Sequence, residues 1–91
     1  MDIPGWRKQI DEIDRKLVEL LNQRARAARA IGQLKQNTNL PIYEPERERT
    51  ILDHVREVNR GPIANTDLVS VFEKIIGIMR RMQQDETAAG K

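Results

Sequence analysis

Two cations stand where an amphipathic helix should be apolar. Arg24 falls on the stripe that also holds Leu20, Leu21 and Ala28, and Lys35 follows eleven residues later. At ~100° per residue, eleven residues return to within about 20° of the same face, roughly 16 Å further along the axis. Ile31 lies between them, so two long cationic side chains look along one apolar wall and can converge on a ligand. Around residue 45, Glu44, Arg47, Glu48 and Ile51 share a second helical face by the i, i+3, i+4, i+7 rule. That face adds a third cation and two acceptors. Further on, Phe72, Ile76, Met79 and Gln83 form one line, which ends in an amide. Singly, each polar residue has an ordinary explanation. Arg24 and Lys35 can snorkel to water or pair with carboxylates, the Glu44–Glu48 segment can form a surface ion-pair ladder with Arg49, and Gln83 can mark where a helix leaves the core. Together they describe an apolar pocket rich in fixed guanidinium and ammonium groups. Its natural ligand is a small dianion, because Arg clamps carboxylates bidentately and Lys presents a point charge. A site of this kind works by positioning and charge stabilisation.

The remaining composition narrows the chemistry. The chain has no Cys and a single His, His54, which leaves disulfides, thiolate metal sites, His-based zinc and a Ser–His triad without material. No metal ligands and no cofactor are therefore expected. Sixteen basic residues against fourteen acidic ones give a net charge of +2, spread along the chain, and only Trp6, Tyr43 and Phe72 are aromatic. That is a poor footprint for nucleic acid. No apolar run approaches the ~20 residues of a membrane span, and the N-terminus lacks a secretory apolar segment. The expectation is a cytoplasmic protein with neither membrane nor nucleic-acid partners.

The elements that must position these residues are helical throughout. Trp6, Ile10, Ile13, Leu17, Leu20, Leu21, Ala27, Ala28, Ile31 and Leu34 recur three and four apart, predicting one long helix over 6–36 that Gly32 weakens locally. Residues 1–5 read as a lead-in, with Pro4 suited to a first turn. A loop follows over 37–43. Pro45 then opens a second helix, with Ile51, Leu52, Val55 and Val58 as its apolar face, ending near Asn59–Pro62. Asn65, Thr66 and Asp67 open a third, dense in apolar residues from Leu68 to Met82. Residues 85–91 read as a frayed tail. The whole is a single all-α domain over 1–91, one long N-terminal helix and two shorter ones. A 31-residue helix is a rod roughly 45 Å long, whereas a compact domain of this size has a radius of gyration of only about 12 Å. One end of the rod must protrude, and its apolar stripe calls for a second chain. Arg7 lies roughly 25 Å from Arg24 and about 100° round the helix. It cannot join Arg24 within one chain, but an antiparallel partner helix would bring the partner subunit's Arg7 there.

With these residues in place the chain resembles the all-helical (AroQ-type) chorismate mutases over nearly its whole length. The likeness rests on Arg7 with Ile10, Asp14 and Leu17, on Leu20-Leu21-Asn22-Gln23-Arg24, and on Ile31-Gly32-Gln33-Leu34-Lys35. It continues through Tyr43-Glu44-Pro45-Glu46-Arg47-Glu48 and Phe72-Glu73-Lys74-Ile75-Ile76 to Gln83, with spacings that need no large insertion. The resemblance implies an intertwined homodimer and a cofactor-free Claisen rearrangement of chorismate to prephenate, on the route to phenylalanine and tyrosine. It implies that Arg24 and the partner subunit's Arg7 bind the two substrate carboxylates. Lys35 would contact a carboxylate and the ether oxygen, and Gln83 would donate to that same oxygen. Glu48 and the backbone around Glu44 would hold the ring hydroxyl, and Arg47 would support the carboxylate end. Ile31, Ile51, Ile76 and Met79 would form the wall. Met79 departs from the family pattern, since many members carry a small or hydroxyl-bearing residue there and Met cannot donate a hydrogen bond. Two other readings keep the fold. Isochorismate-pyruvate lyases share most of the cations, but their pattern lacks a carboxylate directly after the second-helix Arg, where this chain has Arg47-Glu48. Similar segments also occur as regulatory modules fused to prephenate dehydratases and to enzymes opening the shikimate pathway.

Overall fold

The computed structural model describes residues 1–89, and side chains as far as residue 85. Three helices follow in order, α1 over Ile3–Thr38, α2 over Pro45–Val58 and α3 over Asn65–Ala89, with no strand among the described residues. The all-α expectation holds, but the ends of the helices shift. α1 begins three residues before Trp6, because Asp2 caps it: the Gly5 N–H donates to the Asp2 carboxylate at 2.9 Å, with Pro4 in the first turn. Most of the expected lead-in is thus helix. At the other end Asn39 takes the left-handed conformation (φ 57°) and its N–H reaches the Lys35 carbonyl, closing α1 two residues beyond Gln36.

α2 starts on Pro45, with Glu46 and Glu48 in the first turn where the helix dipole favours negative charge. It stops at Asn59, whose side chain organises the following turn. Its Nδ2 donates to the Ile63 carbonyl (2.9 Å) and to Asn65 Oδ1 (2.7 Å), while its Oδ1 accepts from the Gly61 N–H (3.0 Å). Gly61 sits at φ +74°, a conformation that disfavours any side chain. α3 then runs through Ala89, past the point near Gln84 where its apolar seam ends. Gly90 and Lys91, the last of the expected tail, lie outside the described residues.

α3 packs against both other helices, which among the described residues do not pack against each other. The buried apolar side chains are few: Ala28 on α1, Val55 on α2, and Val69, Ile76 and Met79 on α3. On α1 the buried positions are Ala28 and Gly32, one turn apart, so α3 crosses it where side chains are smallest. Every residue of α1 from Trp6 to Gln23 is exposed. The molecule measures 54 × 25 × 14 Å, with a radius of gyration of 16.3 Å against the ~12 Å expected of a compact chain.

Val55 is the buried residue of α2, so it decides how firmly that helix rests on α3. Val55→Ala removes two methyl-sized groups at about 0.8 kcal/mol each. The urea midpoint of unfolding is expected to fall by the corresponding amount at unchanged slope. An unmoved midpoint would show that α2 is held by something else.

Candidate active site

The helices meet around a cleft of about 460 Å³, within the range of small-molecule sites. α1 contributes Arg24, Ala27, Ala28, Ile31 and Lys35 to its wall, α2 and the residues before it Ile42, Glu44, Arg47, Glu48 and Ile51, and α3 Ile76, Met79, Arg80 and Gln83. Apart from Arg7, every site residue named from the sequence lines this one cleft. Arg7 is exposed on the uncovered part of α1, away from Arg24, as the helical spacing requires.

Cations dominate the lining. Arg24, Lys35, Arg47 and Arg80 face two carboxylates, Glu44 and Glu48, for a net charge of +2. Arg24 is partly buried. Loss of water first, and the like charge of Arg47 second, push its guanidinium below the usual arginine range. Arginine remains a cation even so. A ligand carrying two negative charges relieves both penalties at once, replacing lost hydration and separating Arg24 from Arg47. Arg24 also donates through Nη1 to the Met79 sulfur. The side chain that cannot donate to a ligand therefore accepts from the arginine and aims it.

The other groups are held by their neighbours. Lys35 is nearly buried, at 12% side-chain exposure, with its Nζ between Glu44 Oε1 (2.5 Å) and the Ile42 carbonyl (3.1 Å). The ammonium of α1 thus closes the loop that leads into α2. Glu48 pairs with Arg80 of α3, not with a neighbour on its own helix such as Arg49. Arg80 Nη1 donates to both of its oxygens, at 2.7 and 2.5 Å, and the guanidinium carbon lies 4.9 Å from the centroid of the Tyr43 ring. Gln83 Nε2 donates to the Ala28 carbonyl of α1 at 2.8 Å, which fixes the amide at the cleft wall.

Two positions of consequence are absent from the sequence-based set. Arg80 sits beside Arg81 where α3 leaves its apolar seam, and an Arg pair there reads as solvated. Its proximity to Glu48 comes from the packing of α2 on α3. Gly32 reads as a weak point in a long helix. A Cβ there would lie 2.9 Å from Gln83 Cγ and 3.2 Å from Gln83 Cβ, so glycine admits the stem of the side chain that reaches Ala28. A glycine in the apolar stripe of a helix, costing ~1 kcal/mol against Ala, is a signal for such an approach. Gly32→Ala should gain that propensity and lose more to overpacking, typically about 1–3 kcal/mol. The melting temperature is expected to fall and the side-chain amide resonances of Gln83 to move. A stabilised variant with those resonances in place would contradict the contact.

Known proteins place this arrangement. The family model for chorismate mutase type II matches residues 6–84. The chain is similar to a solved chorismate mutase (form II) from Thermus thermophilus, with a TM-score of 0.89 and 29% identity over 90% of this chain and 93% of that one. It is 30% identical to a chorismate mutase of Methanocaldococcus jannaschii, over 86% of this chain and 80% of the relative. It is 42% identical to a bifunctional chorismate mutase/prephenate dehydratase of Aquifex aeolicus, over 82% of this chain but 22% of that protein. The chain therefore spans about a fifth of the length of such bifunctional relatives. With a three-helix fold, a cationic cleft and a family match over most of its length, this chain belongs to the type II chorismate mutase family.

Proposed function

We propose that the chain catalyses the Claisen rearrangement of chorismate to prephenate in the cytoplasm, as a step towards phenylalanine and tyrosine. The observation that carries this reading is the convergence of Arg24, Lys35, Arg47 and Gln83, from three helices, on one apolar-walled cleft. In the reaction one C–O bond breaks as one C–C bond forms within a single molecule. No proton is removed and no external group is transferred. What the reaction needs is a flexible dianion held in its chair-like conformer, and donors aimed at the ether oxygen where negative charge grows. Arg24 and the partner subunit's Arg7 grip the two carboxylates, and Arg47 supports the carboxylate end. Lys35, released in part from Glu44 by the competing anion, contacts a carboxylate and the ether oxygen. Gln83, fixed on α1 through Ala28, donates to that oxygen as well. Glu48 and the backbone around Glu44 receive the ring hydroxyl, while Ile31, Ile51, Ile76 and Met79 shape the apolar wall.

The site is completed by a second copy of the chain. Trp6, Ile10, Ile13, Leu17, Leu20 and Leu21 are between 39% and 58% exposed along one side of α1, too large an apolar stripe to be left in water. Two α1 helices crossing antiparallel would cover both stripes and deliver the partner subunit's Arg7 to Arg24. A prephenate-processing enzyme, fused or associated, is the partner suggested by the bifunctional relatives.

Loss of chorismate absorbance, with the product identified, tests the reaction. Prephenate is expected; salicylate and pyruvate from isochorismate would indicate the lyase, and no turnover by the unaltered chain would indicate a regulatory module. Arg24→Ala should reduce kcat/KM about a hundredfold or more. Because Gln83 is neutral, the unaltered chain should show no alkaline loss arising at this position. Gln83→Glu should introduce one, since a carboxyl donates only while protonated and loses that proton as pH rises. Leu17→Glu should give a monomer in sedimentation and abolish turnover along with the dimer. A fully active monomer would separate the partner subunit's Arg7 from the mechanism.

A further inference from the structure

Glu48 poses an electrostatic problem for the reading above. It is a carboxylate on the wall of a cleft meant for a dianion, and like charges set against each other across a binding surface cost tenfold or more in affinity. The structure answers with Arg80. Its Nη1 lies within hydrogen-bond distance of both Glu48 oxygens, and its guanidinium rests against the Tyr43 ring. The group is thus fixed by α3, by α2 and by the loop between α1 and α2. The two side chains keep 33% and 24% of their exposure. The pair is part-buried but still reaches water, so screening keeps its contribution to the stability of the fold modest. Its geometry has a different use. Sharing one nitrogen between two oxygens pins the plane of the carboxylate and leaves each oxygen further lone-pair capacity.

We propose that Arg80 is the positioning residue for Glu48. It cancels the carboxylate charge towards the incoming dianion and fixes the orientation in which Glu48 accepts the ring hydroxyl, with Tyr43 limiting where the guanidinium can move. This rests on the assignment of Glu48 as the hydroxyl acceptor. Arg80 acts through Glu48, and no contact between Arg80 and the reacting atoms is needed.

The test compares the unaltered chain with Arg80→Gln, Arg80→Lys, Glu48→Gln and the double variant Arg80→Gln/Glu48→Gln. The substrates are chorismate and a chorismate analogue lacking the ring hydroxyl. Arg80→Gln is expected to raise KM for chorismate about tenfold or more, with a smaller change in kcat and little change in melting temperature. Adding Glu48→Gln should recover most of that loss, because the uncompensated charge goes while an amide oxygen still accepts. Arg80→Lys, which keeps the charge but not the planar guanidinium resting on Tyr43, should lie between, and it carries the test if Arg80→Gln does not fold. Unchanged KM in both Arg80 variants, or a double variant worse than Arg80→Gln, would overturn the proposal. A further variant, Glu48→Ala, removes the acceptor altogether: if it leaves discrimination between the two substrates as it was, the assignment of Glu48 itself fails and the proposal goes with it. Persistence of chorismate turnover in that case would still leave the mutase reading intact.

Discussion

Cations that repel one another are held around one cleft, and the fold is arranged to keep them there. Arg24 on α1 has lost water by burial, and the like charge of Arg47 on α2 adds to that in lowering its proton affinity. Two like charges on a single flexible segment would simply swing apart. Here they sit on separate helices that do not pack together along the described residues and are kept in register by a third. The repulsion is thereby stored as affinity for an anion, which is what electrostatic preorganisation means in a site of this kind. The accompanying carboxylates limit the excess: Glu44 holds Lys35 and Glu48 is held by Arg80, leaving a net +2 to meet a dianion.

α3 is the element on which this depends. It touches α1 through the smallest residues available, Ala28 and Gly32, and the closeness of that crossing lets Gln83 bond to a main-chain carbonyl of α1. It touches α2 through Val55 and through the Arg80–Glu48 pair. Each of these contacts either places a group in the cleft or supports the helix that carries one. The buried set is correspondingly thin, five apolar side chains among the described residues, and none of the larger ones is fully enclosed. A core of that size leaves most of the apolar surface of α1 outside the subunit. Burial of that stripe in a second copy, and completion of the site by an arginine from its far end, as proposed above, would both follow from one long helix.

Met79 illustrates how the surroundings reassign a residue. By type it is an inert wall residue in a position where a donor would be useful. In the structure its sulfur accepts from Arg24, so it directs the charge it cannot supply. Lys35 shows the reverse. The ordinary expectation for an isolated lysine on an apolar face, pairing with a carboxylate, holds for it, and the same side chain lines the cleft.

The three helices and the identity of the cationic face were legible in the linear order of residues. Helical periodicity is local, and a polar residue that shares a helical face with apolar ones stands out wherever the pattern is regular; Arg24, Lys35, Arg47, Glu48 and Gln83 are legible in that way. The start of α1 was legible in principle, since Asp2 before Pro4 and Gly5 is a capping signal. Arg80 was not legible, and Gly32 showed only as a glycine in an apolar stripe, without what approaches it. An arginine next to another at the end of a seam, and a glycine within a helix, acquire their roles from what lies across from them. That is decided by how closely α3 approaches α1 and by the angle at which α2 rests on α3. Spacing along one chain determines which side chains share a face, because the helix has a fixed period. Which faces meet, and at what distance, follows from packing between segments tens of residues apart, and only the tertiary structure supplies it.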